Sequence, residues 1–406
     1  MYRCGRIHGN RMARRGSGDL MQLRLTIAES RSEFATHYSE WNDLWLRSKV
    51  ELPTVRFEHV DHWFREFNPA RVRIVLVYAG PKLILGLPLA GAARRVSLVG
   101  SLTNNTSTMT GELLLDEQHD CADAACGLLA DALQRLPWAL LELRGIALDS
   151  TRWRRVKRVL DQQRIVWSEE HLWDVGLIAF PETYDEYRAG WSKNHKRHMK
   201  RAARALDAVD SNARVDYLTT DISPPIIREA FEIEHRSWKG EEGTSIMSST
   251  RTTRYYEEEA RLLAANDQLA LAFLVVNGER IAFEYLYRSG HTVFVPKVSY
   301  DRQHHHLSPG QVLRLKLYEQ WYGGGLPHLV NYLGPLVQAT DRWTTDSYRA
   351  GRLSVPCRAK SGHALLKSRA RLRRDKKAFA KVLERLETRS RDQWWESLVR
   401  WPLRAR

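Results

Sequence analysis

Short apolar segments of strand length alternate along this chain with amphipathic segments of helical period, and the same order occurs twice. In the first half the alternation predicts one strand, two helices, three strands, a helix and a strand. The predicted strands of this half are QLRLTI, RVRIVLVY, KLILGLPL, RRVSLVG and WALLELR. The predicted helices lie near 32–47, 57–67 and 120–135, and a further helix and strand follow near 152–162 and 165–173.

The second half repeats this order between the strand WDVGLIAF and the strand RLSVP. Its predicted helices lie near 184–207, 225–238 and 252–265. Two copies of one order predict an α/β fold with mixed sheets, duplicated in tandem. We therefore expect four segments along the chain: a disordered basic N-terminus at 1–20, domains at 21–175 and 176–356, and a basic helical tail at 357–406.

The most informative stretch is a trio of strands followed by a polar loop and a helix. Asn277-Gly278 and Ser289-Gly290 are two-residue hairpin signals between the strands LALAFLVV, RIAFEYLYR and HTVFVPKV. Ser308 is a suitable N-cap, Pro309 suits the first helical position, and apolar spacing predicts a helix from Gln311 onward. A helix N-terminus offers backbone N–H groups and a positive dipole end, so we predict that Ser308, Pro309, Gly310 and Gln311 hold a diphosphate.

Charge is concentrated at the two ends of the chain. The net charge is +15. Residues 1–20 carry five arginines and one aspartate, and residues 357–406 carry 16 Lys and Arg against five Asp and Glu. These two segments account for the whole excess, so the central 336 residues are neutral. The charge alone therefore predicts no nucleic-acid partner for the two domains.

Cysteine usage and hydropathy narrow the cellular setting. The four cysteines have no Cys-x-x-Cys spacing, so we predict neither a disulfide scaffold nor a zinc site and favour a cytoplasmic location. No apolar run approaches the ~18 residues of a membrane span, and no secretory h-region is present. Three adjacent histidines, His304 to His306, cannot all face one ion, so we expect a polar loop and no metal.

The segment from Trp191 to Val355 resembles the GNAT-type acyltransferase domain of FemAB/CelD-like proteins. The resemblance is carried by the order and spacing of five pieces: WSKNHKRHMKRAARAL, FEIEHRSWKGEEG, the strand trio, YDRQHHHLSPGQVL, and GLPHLVNYLG followed by Asp341-Arg342-Trp343. It implies two GNAT-like halves side by side and N-acyl transfer to cell-envelope or polysaccharide precursors. The glycine-rich loop of ordinary GNAT enzymes is absent, as is a lysine before Arg342.

The resemblance also assigns residues to a donor and an acceptor site. The Ser308-Pro309-Gly310 turn corresponds to the loop that receives the diphosphate of an acyl-CoA donor such as acetyl-CoA. Trp238 and Lys239 correspond to the border of the acceptor cleft, and Asp341, Arg342 and Trp343 belong to the substrate side.

Acyl transfer to an amine needs a base and a group that stabilises the oxyanion. Strand alternation places Glu284 on one face with Ala282 and Leu286, where burial would raise its pKa, so Glu284 is the predicted base. The alternative is a carboxylate paired with arginine at the cleft edge. Lys297 is predicted to meet a phosphate or the oxyanion, or to be an exposed strand-end lysine. Either Tyr300 or Asp301 is predicted to protonate the leaving thiolate; the alternative for Tyr300 is packing.

One predicted helix carries a run of cations. Lys193, Lys196, Arg197, Lys200, Arg201 and Arg204 lie largely along one side and repel one another. Lys196 and Lys200 are therefore predicted to bind an anionic substrate; the alternatives are acidic neighbours or a solvated face. The end of the tail, DQWWESLVRWPLRAR, has the composition of an interfacial helix, which allows docking on an anionic membrane. The alternative, which we favour, is that it packs onto the body of the protein.

Three functions are compatible with these patterns. The first is N-acyl transfer from acyl-CoA to the amine of a small molecule, a sugar or a cell-envelope precursor. The second uses aminoacyl-tRNA as donor, which the FemAB resemblance and the basic tail favour. The third is a non-enzymatic protein that binds nucleic acid or a membrane surface.

Overall fold

A computed structural model describes residues 9–14, 20–91, 98–105, 108–357, 361–368 and 371. The described residues form fourteen strands that join in one sheet. In chain order the strands are β1 (Gly9–Arg14), β2 (Leu20–Ala28), β3 (Arg71–Ala79), β4 (Lys82–Gly91), β5 (Val99–Leu102), β6 (Leu114–Leu115), β7 (Leu140–Ala147), β8 (Ser168–Ala179), β9 (Arg214–Leu218), β10 (Leu269–Val276), β11 (Glu279–Ser289), β12 (Thr292–Tyr300), β13 (Leu329–Asn331) and β14 (Asp346–Pro356).

The helices lie on both faces of this sheet. In chain order they are α1 (Arg31–Ala35), α2 (Tyr38–Arg47), α3 (Phe57–Phe67), α4 (Ala122–Leu133), α5 (Thr151–Gln162), α6 (Tyr184–Ala189), α7 (Lys193–Val209), α8 (Pro224–His235), α9 (Trp238–Glu241), α10 (Thr250–Ala264), α11 (Pro309–Tyr322) and α12 (Gln338–Asp341). Residues 361–368 are also helical. No helix in the described ranges has the length and apolar character needed to cross a bilayer.

The strand order shows how the two halves join. It runs β1-β2-β3-β4-β5-β7-β14-β8-β13-β12-β11-β10-β9, with β6 on β4. The last strand, β14, inserts between β7 of the first half and β8, and is antiparallel to both. This arrangement confirms the predicted mixed α/β fold and adds that the two sheets are continuous.

Hydrophobic cores lie on both faces, and one of them belongs to both halves. A cluster that includes Trp41 and Phe64 of the first half continues into Phe231, Tyr255 and Phe283 of the second half. Ion pairs along this contact join α3 to α10, for example Arg65 to Glu258 at 3.1 Å. The halves therefore share buried apolar area as well as backbone hydrogen bonds.

The predicted segment boundaries are less distinct in the structure. Residues 168–179 form one strand, β8, where the sequence pattern predicted two, and this strand crosses the predicted boundary at 175. Residues 9–14 form β1, antiparallel to β2, within the segment predicted to be disordered. Most of the predicted tail, including its tryptophan-rich end, lies outside the described residues. The division into 21–175 and 176–356 stays a prediction.

Candidate active site

We take the gap between β12 and β13 beyond Phe294 as the candidate cleft. β12 is parallel to β13 only over Thr292–Phe294. β13 ends at Asn331, whereas β12 continues to Tyr300 and stays paired with β11 on its other side. Residues 295–300 thus present one backbone edge that pairs with no strand of the described chain. We call this segment the β12 edge.

Hydrogen bonding to β11 determines which backbone groups point into the cleft. Asp301 N–H donates to the carbonyl of Ile281 at 2.8 Å. Because directions alternate along a strand, Val298 and Tyr300 direct their N–H and C=O groups away from β11, toward the cleft. The Val298 carbonyl already accepts a hydrogen bond from Lys239 Nζ at 3.2 Å. The β12 edge therefore offers strand-like donors and acceptors next to a lysine.

The predicted diphosphate turn lies beside this edge. Ser308 adopts a left-handed conformation with φ of 52° and Pro309 is the first residue of α11. Gly310 faces Tyr300 and Val298, so that an added Cβ would lie 3.8 and 3.9 Å from their side chains. Pro309 has no N–H, and the Gly310 N–H bonds to no described residue. One amide at the start of α11 is thus available to a ligand.

The next residues of the turn are occupied within the protein. The N–H groups of Gln311 and Val312 donate to the Ser308 carbonyl at 2.9 and 3.1 Å. The Gln311 side chain donates to the Ala339 carbonyl at 3.1 Å and accepts from Trp343 Nε1 at 2.8 Å. Gln311 therefore attaches α11 to the segment around α12, and its side chain is not free to bind a ligand.

Glu284 lies in the core beneath α11, away from the cleft. Its side chain is 1% exposed and that of Arg314 is 2% exposed. Glu284 Oε1 accepts hydrogen bonds from Arg314 Nε at 3.0 Å and from Arg314 Nη2 at 2.7 Å. The guanidinium also lies over the Tyr332 ring, 4.9 Å from its centroid. A carboxylate held this way joins the sheet to α11 and cannot reach a substrate amine.

A second buried carboxylate organises two lysines near the β12 edge. Glu234 Oε1 lies 2.8 Å from Lys239 Nζ and 4.0 Å from Lys297 Nζ. Its other oxygen accepts from the Ile246 N–H at 2.7 Å. Burial by itself raises the pKa of Glu234, but the charges of Lys297 and Lys239 bring it below its ordinary value. Glu234 is therefore ionised, and it lies within ion-pair distance of both lysine side chains.

Lys297 is the most desolvated cation of this group. Its side chain is 16% exposed, and Nζ lies over the Tyr256 ring at 4.6 Å from the centroid. Burial lowers the pKa of Lys297, although Glu234 opposes the shift. A larger fraction of Lys297 is consequently in the neutral amine form than for a lysine in water. A neutral lysine can accept a proton.

The apolar surroundings of Lys297 contain one further acid. Glu259 is 1% exposed and accepts hydrogen bonds from Tyr287 Oη at 3.1 Å and Tyr285 Oη at 3.5 Å. Burial raises the pKa of Glu259 to about 7 despite these donors. Sequence reasoning did not identify Glu259.

Strand register separates the three residues predicted to be catalytic. Glu284 lies opposite Val298, and Tyr285 lies opposite Lys297. Since neighbouring residues of a strand face opposite ways, Lys297 is on the α8 and α10 face while Glu284 is on the α11 face. Tyr300 shares the α11 face and contacts the start of α11. The structure thus brings Lys297 and Lys239 together near the edge and leaves Glu284 apart.

Comparison with known proteins shows which family the second half is similar to. Residues 193–335 match the family model of the acetyltransferase (GNAT) domain. The match confirms the predicted resemblance of this segment to GNAT acyltransferases. The match includes the β12 edge, the turn at Ser308 and the cluster of Glu234, Lys239 and Lys297. No curated protein sequence matches the chain.

Two solved structures share the fold over both halves. FemX is 7% identical, with 79% of this chain and 96% of that chain covered and a TM-score of 0.55. The C-terminal domain of a putative lysylphosphatidylglycerol synthetase from Agrobacterium fabrum is 10% identical, with 82% and 96% covered and a TM-score of 0.50. The resemblance to FemAB-like tandem GNAT proteins is confirmed, and at these identities the likeness concerns the fold alone.

The remaining predicted residues of the GNAT domain differ in exposure. Trp238 is 47% exposed and stands in α9 next to Lys239. A Cβ on Gly240 would collide with the His235 carbonyl, so only glycine allows this close approach. Trp343 is 1% exposed. Trp343 is therefore a core residue and does not line a cleft.

Asp341 and Arg342, which precede Trp343, are exposed at the end of α12. Among the described residues no ion pair involves Arg342. Their substrate role stays a prediction. His304 to His306 lie in a short 3-10 helix, Arg302–Leu307, and the described ranges contain no cluster that could hold a metal ion.

The cationic helix is α7. Its buried face consists of His195, Met199, Ala202 and Leu206, and the six basic residues named above are exposed. The Lys196 ammonium donates to the Ala189 carbonyl at 3.1 Å. None of the six forms an ion pair with a described residue, and the choice between a bound anion, acidic neighbours and a solvated face stays a prediction.

Sequence reasoning overlooked Arg314 and Glu234 although a signal was present. In α8 the buried positions Ile227, Ala230 and Phe231 continue at helical spacing to Glu234. In α11 the same spacing places Arg314 with Tyr318 on a buried face. A charged residue on an apolar helical face requires a partner, which is a reason to examine it.

Proposed function

We propose that the GNAT domain transfers an acyl group from a CoA thioester, such as acetyl-CoA, to an amine. The observation that carries this proposal is the unpaired β12 edge immediately before the turn into α11. An extended donor with amide groups and a diphosphate requires a strand-like edge and an anion site in that order. The segment 295–310 has both.

The donor is expected to add to the sheet as a further strand. Its two pantetheine amides have the hydrogen-bonding groups of a peptide, and Val298 and Tyr300 direct complementary groups at them. The diphosphate then lies at the Ser308 turn, where the Gly310 N–H and the positive end of the α11 dipole meet it.

The proposed chemistry is direct attack of the acceptor amine on the thioester carbonyl. A C–N bond forms, the C–S bond breaks, and the proton of the amine passes to neutral Lys297. Tyr300, at the end of the same strand, supplies a proton to the departing thiolate. Lys297 replaces Glu284 in the role of base, because Glu284 is buried and paired with Arg314.

Lys239 and Trp238 are proposed to border the acceptor. Glu234 fixes the Lys239 ammonium at the Val298 carbonyl, and the adjacent Trp238 presents an exposed ring. The acceptor class is an amine on a small molecule, a sugar or a cell-envelope precursor, reached from the cytoplasm.

Thermal stabilisation by acetyl-CoA tests the donor site. At a hundredfold excess over Kd a ligand stabilises the native state by about 2.7 kcal/mol. Gly310→Asp places a negative charge at the turn and should abolish this effect. Ser289→Asp adds the same charge at the end of β11, next to the first residue of β12 and far from the turn, and should retain it. Equal protection of both variants, or none of the wild type, would remove the donor site from the turn.

A second candidate function uses aminoacyl-tRNA as donor, and one observation favours it. α7 exposes six cations that form no ion pair with any described residue, and it packs beside α11. The phosphates of an RNA backbone carry the negative charges that the exposed cations of this 17-residue helix would bind.

Salt dependence of tRNA binding tests this second candidate. Lys196→Gln with Lys200→Gln should reduce the slope of log K against log salt by roughly 1 per lysine. Lys49→Gln with Lys82→Gln removes the same charge from the first half and should leave the slope unchanged. Tight tRNA binding without a response to acetyl-CoA would favour the aminoacyl donor.

A further inference from the structure

A cavity of about 520 Å³ lies in the first half, where no site was predicted. It is formed by the end of β2, the C-terminal turn of α3 and the start of β3. Four arginines line it, namely Arg31, Arg65, Arg71 and Arg73. We call it the arginine cavity. Its volume is that of a small-molecule site.

Carboxylates hold three of the four guanidinium groups in place. The pairs are Arg31 with Asp61 at 2.6 Å, Arg65 with Glu258 at 3.1 Å and Arg73 with Glu29 at 3.5 Å. Each pair occupies one or two of the five N–H donors of its guanidinium. The remaining donors are therefore positioned in advance and still available.

Arg71 has no carboxylate partner in the described part of the chain. Its Nη1 donates to the Pro137 carbonyl at 3.3 Å, which orients the side chain without neutralising it. Arg71 and Arg73 are two residues apart on β3, so both project from one face at a separation of roughly 7 Å. This spacing suits two oxygens of one phosphate or of a diphosphate.

Glu29 is the one acidic residue that lines the cavity. Within the described part of the chain, carboxylates pair with three of these arginines and Arg71 is left without one, so the cavity keeps a positive charge that favours an anion. Guanidinium groups bind phosphate oxygens in pairs and with charge-assisted hydrogen bonds. We propose that the arginine cavity binds the phosphate or diphosphate group of a small molecule, such as a sugar phosphate.

The cavity opens at the same edge of the sheet as the proposed donor cleft. The strand directions from β3 to β12 show this. β3 begins with Arg71 and β12 ends with Tyr300, and these two strand ends lie at the same edge of the sheet. The contact of α3 with α10 also brings the cavity near the second half, because Glu66 pairs with Arg254 while Arg56 bonds to Gln268. A ligand in the cavity thus lies on the side where acyl transfer is proposed, although its binding does not depend on that function.

Calorimetric titration with inorganic pyrophosphate and with glucose 1-phosphate tests the proposal. Both titrations keep the probes away from the proposed donor site. In the first, saturating CoA in the calorimeter cell occupies the Ser308 turn; in the second, the Gly310→Asp protein is used without CoA. We expect binding in both cases. Arg71→Gln should weaken it by about tenfold or more, as expected for the loss of a charge-assisted phosphate contact. Arg214→Gln removes an exposed arginine from the opposite end of the strand order and should have no effect.

Three outcomes would overturn the proposal. The first is no binding of either probe by wild type or Gly310→Asp. The second is unchanged affinity for both probes in Arg71→Gln and in Arg73→Gln; Arg73→Gln keeps the test valid if Arg71→Gln does not fold. The third is Arg71-dependent binding to phosphatidylglycerol vesicles without binding of the soluble probes, which would indicate a lipid headgroup. If CoA fails to bind but pyrophosphate still needs Arg71, the donor site alone is refuted.

Discussion

The buried pair of Glu284 and Arg314 should behave as a structural ion pair and not as a catalytic group. Replacing Arg314 by Met leaves the Glu284 carboxylate in the core without its two hydrogen bonds. Glu284 Oε2 already has no hydrogen-bond partner in the described structure. The isolated charge is therefore expected to reduce the free energy of unfolding by about 3–5 kcal/mol.

A double-mutant cycle measures the coupling of the two residues. Glu284→Gln leaves Arg314 charged and buried, so we expect it to cost several kcal/mol as well, of order 3. The double variant Glu284→Gln with Arg314→Met leaves no charge at this position in the core. Its loss of stability should therefore be smaller than the sum of the single losses by roughly 1–3 kcal/mol.

Urea denaturation followed by tryptophan fluorescence provides the assay. The midpoint should fall strongly in each single variant and recover in part in the double variant, with little change in the slope m. Additive losses, or single losses below about 1 kcal/mol, would refute the ion pair as a stabilising unit. If folded Glu284→Gln protein had normal stability but lost turnover, Glu284 would regain the role of base.

Two further predictions concern the α8 and α10 face. Lys297→Ala should lower kcat by about 10²–10⁴-fold. The wild-type rate should rise with pH and reach its plateau below the ordinary pKa of a lysine, because burial lowers the pKa of Lys297. An unchanged pH–rate profile in the variant would contradict this role. Glu259 binds its proton more tightly when folded, with a pKa of about 7, so its contribution to stability is complete below about pH 4.5 and is lost as the pH rises through 7. Glu259→Gln should therefore flatten the fall in Tm between pH 5 and 8, and an identical slope in both proteins would disprove the shift.

Local sequence signals identified the elements around the site. Asn277 and Gly278 both adopt positive φ, as the hairpin signal requires, and Pro309 is the first residue of α11. These features depend on conformational preferences of a few adjacent residues. They are therefore readable from the sequence without knowledge of any distant contact.

Residue roles at the site depended on the tertiary structure. Glu284 and Arg314 are 30 residues apart, and no local pattern indicates that they meet. The register of β11 against β12 decides that Lys297 faces α10, and a shift of one residue would reverse it. The pattern of RIAFEYLYR placed Glu284 on a face, but it did not show that α11 covers that face.

By itself, the sequence determined the order of the elements, the α/β class and the duplication, because hydrophobic period and turn residues act over short distances. The tertiary structure alone decided that β14 joins both halves into one sheet and that a second buried carboxylate, Glu234, holds two lysines at the β12 edge. Charges buried in a core are paired across elements that are distant in the chain, so their partners become known only when those elements pack.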